Sequence, residues 1–422
     1  LAKVTPLNWK NNHHRKKEAE MKMIKTALVA LFALAFAGVA TAQTTVRITG
    51  STAFRAATVT AIQNILNPGY TYGYIGSSVT GANQSTFVGT TKTGNLPVII
   101  KCSFAGSVGG VQTIAQQSPV VTTASPYISE TNALAATGLV LTAATATFDS
   151  PANADIAMSD TFQSSTAFNG TGYNTLTDTV VGVVPFVWTK GVSSDAAVAA
   201  SLANVTNITP LLARAVLSGS GTPLSMFTGS SADSTVYIYA MGRDEDSGTR
   251  LTTYAESGFG IFGSPIQYQA TVASGAITAI APYQAQTILG ISYTAGHSGY
   301  SSGGTLATTL NTPIAATARD SLNAKFALVA YFGVNDANGV NGGANNLTYN
   351  GVPYSVTNVQ EGRYTFWGYE HLMYRSTLTG NAKTVADQLA TQIRTTDATV
   401  SGVLLASMNV SRVTEGAVIT HK

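Results

Sequence analysis

Charge is scarce in this chain. Asp, Glu, Lys and Arg make up 10% of its 422 residues, against about a quarter in an ordinary soluble domain. Cysteine is nearly absent: Cys102 stands alone, so no intramolecular disulfide can form, and its apolar neighbours mark it as a buried structural thiol. Beyond residue 42 the only histidines are His297, His371 and His421, too few and too far apart for a metal centre. The net charge of +3 is also misleading. Residues 1–42 hold seven of the 23 Lys/Arg and two of the 20 Asp/Glu, which leaves 16 basic and 18 acidic residues, a net of −2. There is no bulk case for a nucleic-acid partner. Neither a metal nor a cofactor is expected.

What is present is apolar or small. Hydrophobic residues reach 45%, and Gly, Ser, Thr and Ala fill much of the rest. That balance suits an ordered, β-rich extracytoplasmic protein better than a disordered one. "MKMIKTALVALFALAFAGVATAQ" begins at Met21 with Lys22 and Lys25, runs apolar from 27 to 39, and ends in Ala40-Thr41-Ala42. It reads as a secretory signal peptide cleaved between Ala42 and Gln43, with 1–20 as upstream sequence. The expected location is periplasmic or secreted.

The next segments alternate in type. "VRI" is a short strand, Gly50-Ser51-Thr52 a turn, and Phe54, Thr58, Ile62 and Leu66 share one helical face, stopped by Asn67-Pro68-Gly69. Residues 70–96 look like an irregular insertion. Strands follow at 98–104, in "ADIAMSD" (154–160), in "VVGVVPFVWT" (180–189) and in "VYIYAM" (236–241). Pro185 argues against a central antiparallel place for the third of these. "NITPLLARAVLSGS" is a helix closed by Gly219, and "AKTVADQLATQI" is another. Strands alternating with helices give an α/β class with parallel pairing.

Three junctions share one design: Gly50-Ser51-Thr52-Ala53-Phe54, Gly106-Ser107-Val108-Gly109-Gly110 and Ser247-Gly248-Thr249. Each follows a strand and opens a helix. A helix N-terminus carries unsatisfied N–H donors and partial positive charge, so it attracts anions. Ser and Thr at such places are usually plain caps. The third junction is more specific, because Arg243 precedes it in "GRDEDSGTR" (242–250). Asp244 and Asp246 are candidates for orienting that guanidinium or tuning the net charge.

These segments resemble the periplasmic phosphate-binding proteins of ABC-type phosphate uptake, which have the type II periplasmic-binding-protein fold. "ITGSTAF", "GSVGGVQTIA", "ADIAMSD", "ITPLLARAVLSG", "GRDEDSGTR" and "NGVPYSVTNVQEGRYTFWGYEHL" occur in that family's order across nearly the whole chain beyond residue 42. The resemblance implies two α/β lobes, each with a mostly parallel sheet flanked by helices. Lobe I would be 43–182 plus 345–422 and lobe II 183–344, after the leader at 1–42. A two-segment hinge would cross near 180–189 and 335–346. The implied function is extracytoplasmic binding of inorganic phosphate or a similar oxyanion, without catalysis, for delivery to a membrane ABC permease, by a monomer. The implied ligand set is Thr52 and the Phe54 N–H, Ser107, Asp160, Arg243, Ser247, Gly248 and Thr249. Arg243 would supply the counter-charge. Asp160 would accept a hydrogen bond from a ligand that keeps a proton, which fully ionised sulfate lacks. Two positions depart from the pattern, Ala53 and Val108, where hydroxyls are usual.

The rival reading is a secreted surface, adhesion or structural protein that reuses such a fold without transport. An enzyme hint is weaker. Gly299-Tyr300-Ser301-Ser302-Gly303 matches G-x-S-x-G near His297, but in a Gly/Ser/Thr-rich run. His371 reads as packed among aromatics. Asp336 lacks the partners of a calcium loop.

Overall fold

The computed structural model describes residues 43–117 and 121–422. The expected signal peptide and its cleavage site lie outside them, at 1–42. In chain order the strands are β1 (Thr44–Gly50), β2 (Thr71–Ile75), β3 (Gln84–Thr90), β4 (Pro97–Ser103), β5 (Leu139–Leu141), β6 (Ile156–Ser159), β7 (Leu176–Lys190), β8 (Thr222–Pro223) and β9 (Val236–Met241). Two hairpins follow, β10 (Tyr268–Ala273) with β11 (Ala276–Pro282) and β12 (Gln286–Ile288) with β13 (Ile291–Tyr293). Then come β14 (Lys325–Gly333) and β15 (Trp367–Arg375). The helices used below are α1 (Arg55–Ile65), α2 (Ser107–Ala115), α3 (Pro210–Leu217), α4 (Gly248–Ser257), α5 (Gly303–Leu310) and α6 (Gly380–Thr395).

Eleven strands form one mixed sheet, in the order β5-β2-β3-β4-β1-β6-β15-β7-β14-β9-β8. The α/β class expected from the sequence is borne out. Parallel pairing holds for the strands that lead into the three junctions: β1 with β4 and β6, and β9 with β14. The other pairings are antiparallel, except that β2 runs parallel to β5 at the sheet edge. β7 is the bridge between the two halves. Its 15 residues pair antiparallel with β15 up to Pro185 and with β14 from Phe186 onward. The sequence argument against a central antiparallel β7 therefore fails. Pro185, which has no N–H to donate, falls where the strand changes partners, so no ladder bond is lost there.

The α1 pattern is borne out. Phe54, Thr58, Ile62 and Leu66 are all buried, and the helix ends at Ile65. They pack with Val46 and Ile48 of β1 and Ile100 and Cys102 of β4 in the main core. Each fully buried Ile or Val contributes about 1.5–3 kcal/mol by leaving water. Helix α3 starts as expected, with Thr209 Oγ1 accepting from the Leu212 N–H. Residues 70–96 are not irregular. They form β2 and β3, which extend the sheet beyond β4. Tyr72, Phe87 and Tyr70 cluster there, ring to ring. Aromatic cross-strand pairs make strands of a segment that composition alone reads as loop.

Candidate functional site

Each junction forms because a buried strand ends in a backbone that must turn sharply. At the end of β1, Gly50 has φ 110°, and a Cβ there would stand 1.9 Å from the Met158 carbonyl oxygen. Only glycine permits that approach. β6 is thus held against β1, and Asp160 follows it directly. The third junction caps α4: Ser247 Oγ accepts from the Arg250 N–H at 3.2 Å, a helix start of the usual Ser type.

The three junctions and Asp160 meet in one place. Arg243 donates from Nη1 to Thr52 Oγ1 at 3.1 Å. Thr249 Oγ1 donates to Asp160 Oδ2 at 3.3 Å. The Asp160 N–H donates to Ser107 Oγ at 3.1 Å. Gly248 lies so close that an added Cβ would be 1.6 Å from Asp160 Oδ1. Thr52, Ser107, Asp160, Arg243, Ser247 and Thr249 are all buried. The Phe54 N–H belongs to the first junction but is turned to Ser51 Oγ, 3.2 Å away.

Arg243 is fixed by backbone, not by acids. Nε donates to the Tyr300 carbonyl and Nη2 to the Ser301 carbonyl, both at 2.9 Å. Its own N–H donates to the Tyr331 hydroxyl at 3.1 Å. A guanidinium has five N–H donors, so these bonds set its plane without using it up. The orienting role expected of Asp244 and Asp246 is not what the structure shows. Asp244 Oδ1 is buried without a partner. The Asp246 carbonyl instead accepts from the N–H groups of Val108 and Gly109, at 2.8 and 3.3 Å, which caps α2. Glu245 pairs with Arg250 at 3.0 Å.

The electrostatics follow from burial. The Asp160 carboxyl is pushed up to about 6 by loss of water, opposed by Ser107, Arg243 and Thr249. Its Oδ1 has no hydrogen-bond partner. Asp244 is pushed up to about 7, chiefly by burial and against the pull of Arg243. Asp246 is raised well above the usual carboxylate range by burial and by Asp244. Sequence reasoning missed a further acid, Glu370 on β15, which is fully buried with both carboxyl oxygens unpartnered. It sits in an apolar run beside His371, where a charged residue was the available signal. Tyr300 and Ser301 act through their carbonyls, and such acceptors have no sequence signature.

Two cavities flank the cluster. One, of about 530 Å³, lies between Val108 and Phe168 on one side and Leu251, Ile261 and Tyr293 on the other. The second, of about 440 Å³, lies between Phe104 and Ser125 and the β12 segment with Asp244 and Asp246. Both are bounded by one group of residues from 83–168 and another from 244–301.

The remaining candidates fall elsewhere or into structural roles. Ser302 caps α5, its Oγ accepting from the Thr305 N–H at 3.1 Å. His297 offers its carbonyl to Arg250 at 2.9 Å. His371 stacks edge-on against Phe162 and has Nδ1 2.8 Å from Asp178 Oδ1. Asp336 accepts from Arg55 at 3.2 Å. Among the described residues no group of three or more His, Cys, Asp or Glu could hold a metal ion.

No family model matches the chain, and no curated protein matches it. Solved structures similar to it include an ABC-type phosphate transport receptor from Vibrio cholerae, at 13% identity and a TM-score of 0.44, covering 85% of this chain and 99% of that one. A putative phosphate ABC transporter substrate-binding protein with bound phosphate from Clostridium perfringens is 13% identical, with a TM-score of 0.42 and coverage of 84% and 97%. PstS from Borrelia burgdorferi is 14% identical, with a TM-score of 0.36 and coverage of 86% and 98%.

Proposed function

We propose that this chain is an extracytoplasmic binding protein for phosphate or a closely related tetrahedral oxyanion, which it passes to an ABC permease. The observation that carries the reading is the meeting of Arg243, Thr52, Ser107, Thr249 and Asp160 from four separate segments in one buried cluster. In this reading 43–182 with 345–422 and 183–344 are two lobes that close on the ligand. Strand β7 and the 335–346 segment are the crossings, joined where the Leu347 N–H donates to the Trp188 carbonyl at 2.8 Å. Lobe closure would bury the anion and create the surface that a permease reads.

The chemistry assigns each group a task. The free N–H groups of Arg243 neutralise the anion and fix its orientation. The N-terminus of α4 adds the Gly248 and Thr249 N–H groups, with partial positive charge behind them. Asp160, as the carboxylate, accepts a hydrogen bond from the O–H that a phosphate species carries and repels an anion that carries none. An unpartnered acceptor facing a like charge costs on the order of 1–3 kcal/mol or more, which excludes sulfate.

Calorimetric titration with phosphate and with sulfate, beside Arg243→Lys, tests this. Phosphate heat without sulfate heat is expected, with affinity in the variant reduced about ten- to hundredfold, because lysine cannot reproduce the guanidinium fork. Absence of heat from either anion would support the rival, a secreted structural protein. One observation favours that rival: the donors of α2 are already met by the Asp246 carbonyl.

A further inference from the structure

Glu370 is buried to 0% exposure, and neither of its carboxyl oxygens has a hydrogen-bond partner. An acid so placed is expensive unless it is neutral or has a task. Its neighbours say where it points. β15 runs antiparallel to β6, with His371 opposite Ser159, so the next position along each strand places Glu370 beside Asp160. A Cβ on Gly368, two residues away, would stand 3.0 Å from the Asp160 carbonyl oxygen and 3.5 Å from Thr252 Oγ1 of α4. The other side of the strand is aromatic: Trp367, Tyr369 and His371 follow one another ring to ring. Glu370 therefore faces the anion cluster from below.

We propose that Glu370 is a second carboxyl of the oxyanion site, neutral when the site binds, and that its deprotonation gates release by placing a second negative charge beside Asp160. The inference rests on the oxyanion reading above. Two carboxylates sharing a dry site lose their protons in two separate steps, the second at higher pH than the first. Asp160 has the better stabilised anion, since Thr249, Ser107 and Arg243 all favour it. Burial and Asp160 raise Glu370 well above the usual carboxylate range, and the Ser51 hydroxyl, near it but outside hydrogen-bond geometry, offsets them only weakly. The groups acting on it are Asp160 after β6 and Ser51 after β1, with Thr252 of α4 beside the neighbouring Gly368. On the far side of β15, Asp178 of β7 is engaged by His371.

Phosphate titrates in the same range, so the comparison must cancel the ligand's own protons. Phosphate affinity is measured for the wild type and Glu370→Gln from pH 5.5 to 9.5. Gln has the shape of the neutral acid and cannot ionise. The ratio of variant to wild-type affinity is expected to be flat at low pH and then rise about tenfold per pH unit as one proton is lost. A flat ratio throughout, with phosphate binding intact, overturns the gate and leaves the oxyanion reading standing. If the wild type binds no phosphate at any pH, the oxyanion reading fails and the gate with it.

A ligand-free measurement tests the protonated state separately. A carboxyl raised on folding contributes stability that is complete below its unfolded value and lost as pH rises toward the folded one. Wild-type stability relative to Glu370→Gln, from urea unfolding, should thus decline from about pH 4.5 upward. A pH-independent difference overturns the assignment of the proton to Glu370.

Discussion

Asp160→Asn separates what the carboxylate does for binding from what it costs the fold. Burial raises this carboxyl from 3.8 to about 6, roughly two units, or about 3 kcal/mol between its two protonation states. The sign follows from the proton count. Between pH 4 and 6 the folded protein holds a proton that the unfolded chain has released, so raising the pH removes stability from the wild type. Asparagine does not titrate. The variant should therefore gain on the wild type by about 3 kcal/mol between pH 3.5 and pH 7.5, set against a fixed loss from the altered contact with Thr249. Urea unfolding of ligand-free protein at a series of pH values reads this directly. The same substitution should weaken phosphate binding and admit sulfate, because the amide can donate where the carboxylate only accepts. A stability difference that does not vary with pH, or one that moves toward the wild type as pH rises, would refute the account of Asp160. Unchanged exclusion of sulfate would refute its role in selectivity.

Other outcomes follow from single contacts. Gly248→Ala should abolish anion binding, because the added Cβ lies 1.6 Å from Asp160 Oδ1; displacement of the carboxylate from α4 will be visible in the binding heat before it is visible in unfolding. Cys102, whose thiol burial pushes up to about 12, should resist a thiol reagent in the native protein and react on unfolding in urea. Ile62→Ala should cost about 2–5 kcal/mol in chemical denaturation, as α1 loses a fully buried contact with the core. It should leave anion affinity nearly unchanged.

The junctions were legible because local chemistry and long-range role coincide in them. An apolar strand, a small-residue turn and a capped helix leave their marks within one short stretch of chain, as 46–62 and 236–254 do. Arg243 could be singled out because a lone arginine before Ser-Gly-Thr has few structural uses. What could not be read is whatever depends on the partner. The Tyr300 and Ser301 carbonyls hold the guanidinium, yet any residue type supplies a carbonyl. Asp246, a sequence candidate for orienting the guanidinium, works through its backbone carbonyl. Residues 70–96 have the composition of a loop and become strands because Tyr70, Tyr72 and Phe87 pack on one another. Pro185 was weighed as a ladder breaker, and the place that tolerates it is the change of partners within β7, which exists only in three dimensions.

The charge distribution gives the site its character. This chain is poor in charge, yet it buries Asp160, Asp244, Asp246 and Glu370 around Arg243. Fixed negative charge at that density would defeat an anion site. Burial eases the conflict, since each of the four is raised above the usual carboxylate range, while an arginine keeps its charge at any physiological pH. The net charge of the cluster is then set by protons rather than by residue count. As pH falls the carboxyls become neutral and Arg243 dominates. As pH rises they ionise in turn, and the same cluster becomes repulsive. An ordinary arrangement of lysines and arginines would hold an anion over the whole range; on the oxyanion reading, this one would hold it within a window of pH. Replacing Asp244 with Asn should therefore extend phosphate binding to higher pH, as is expected of Glu370→Gln, and the two substitutions together should extend it further. If the double variant binds no better at high pH than the wild type, the decline has another source, and the buried acids serve the fold alone.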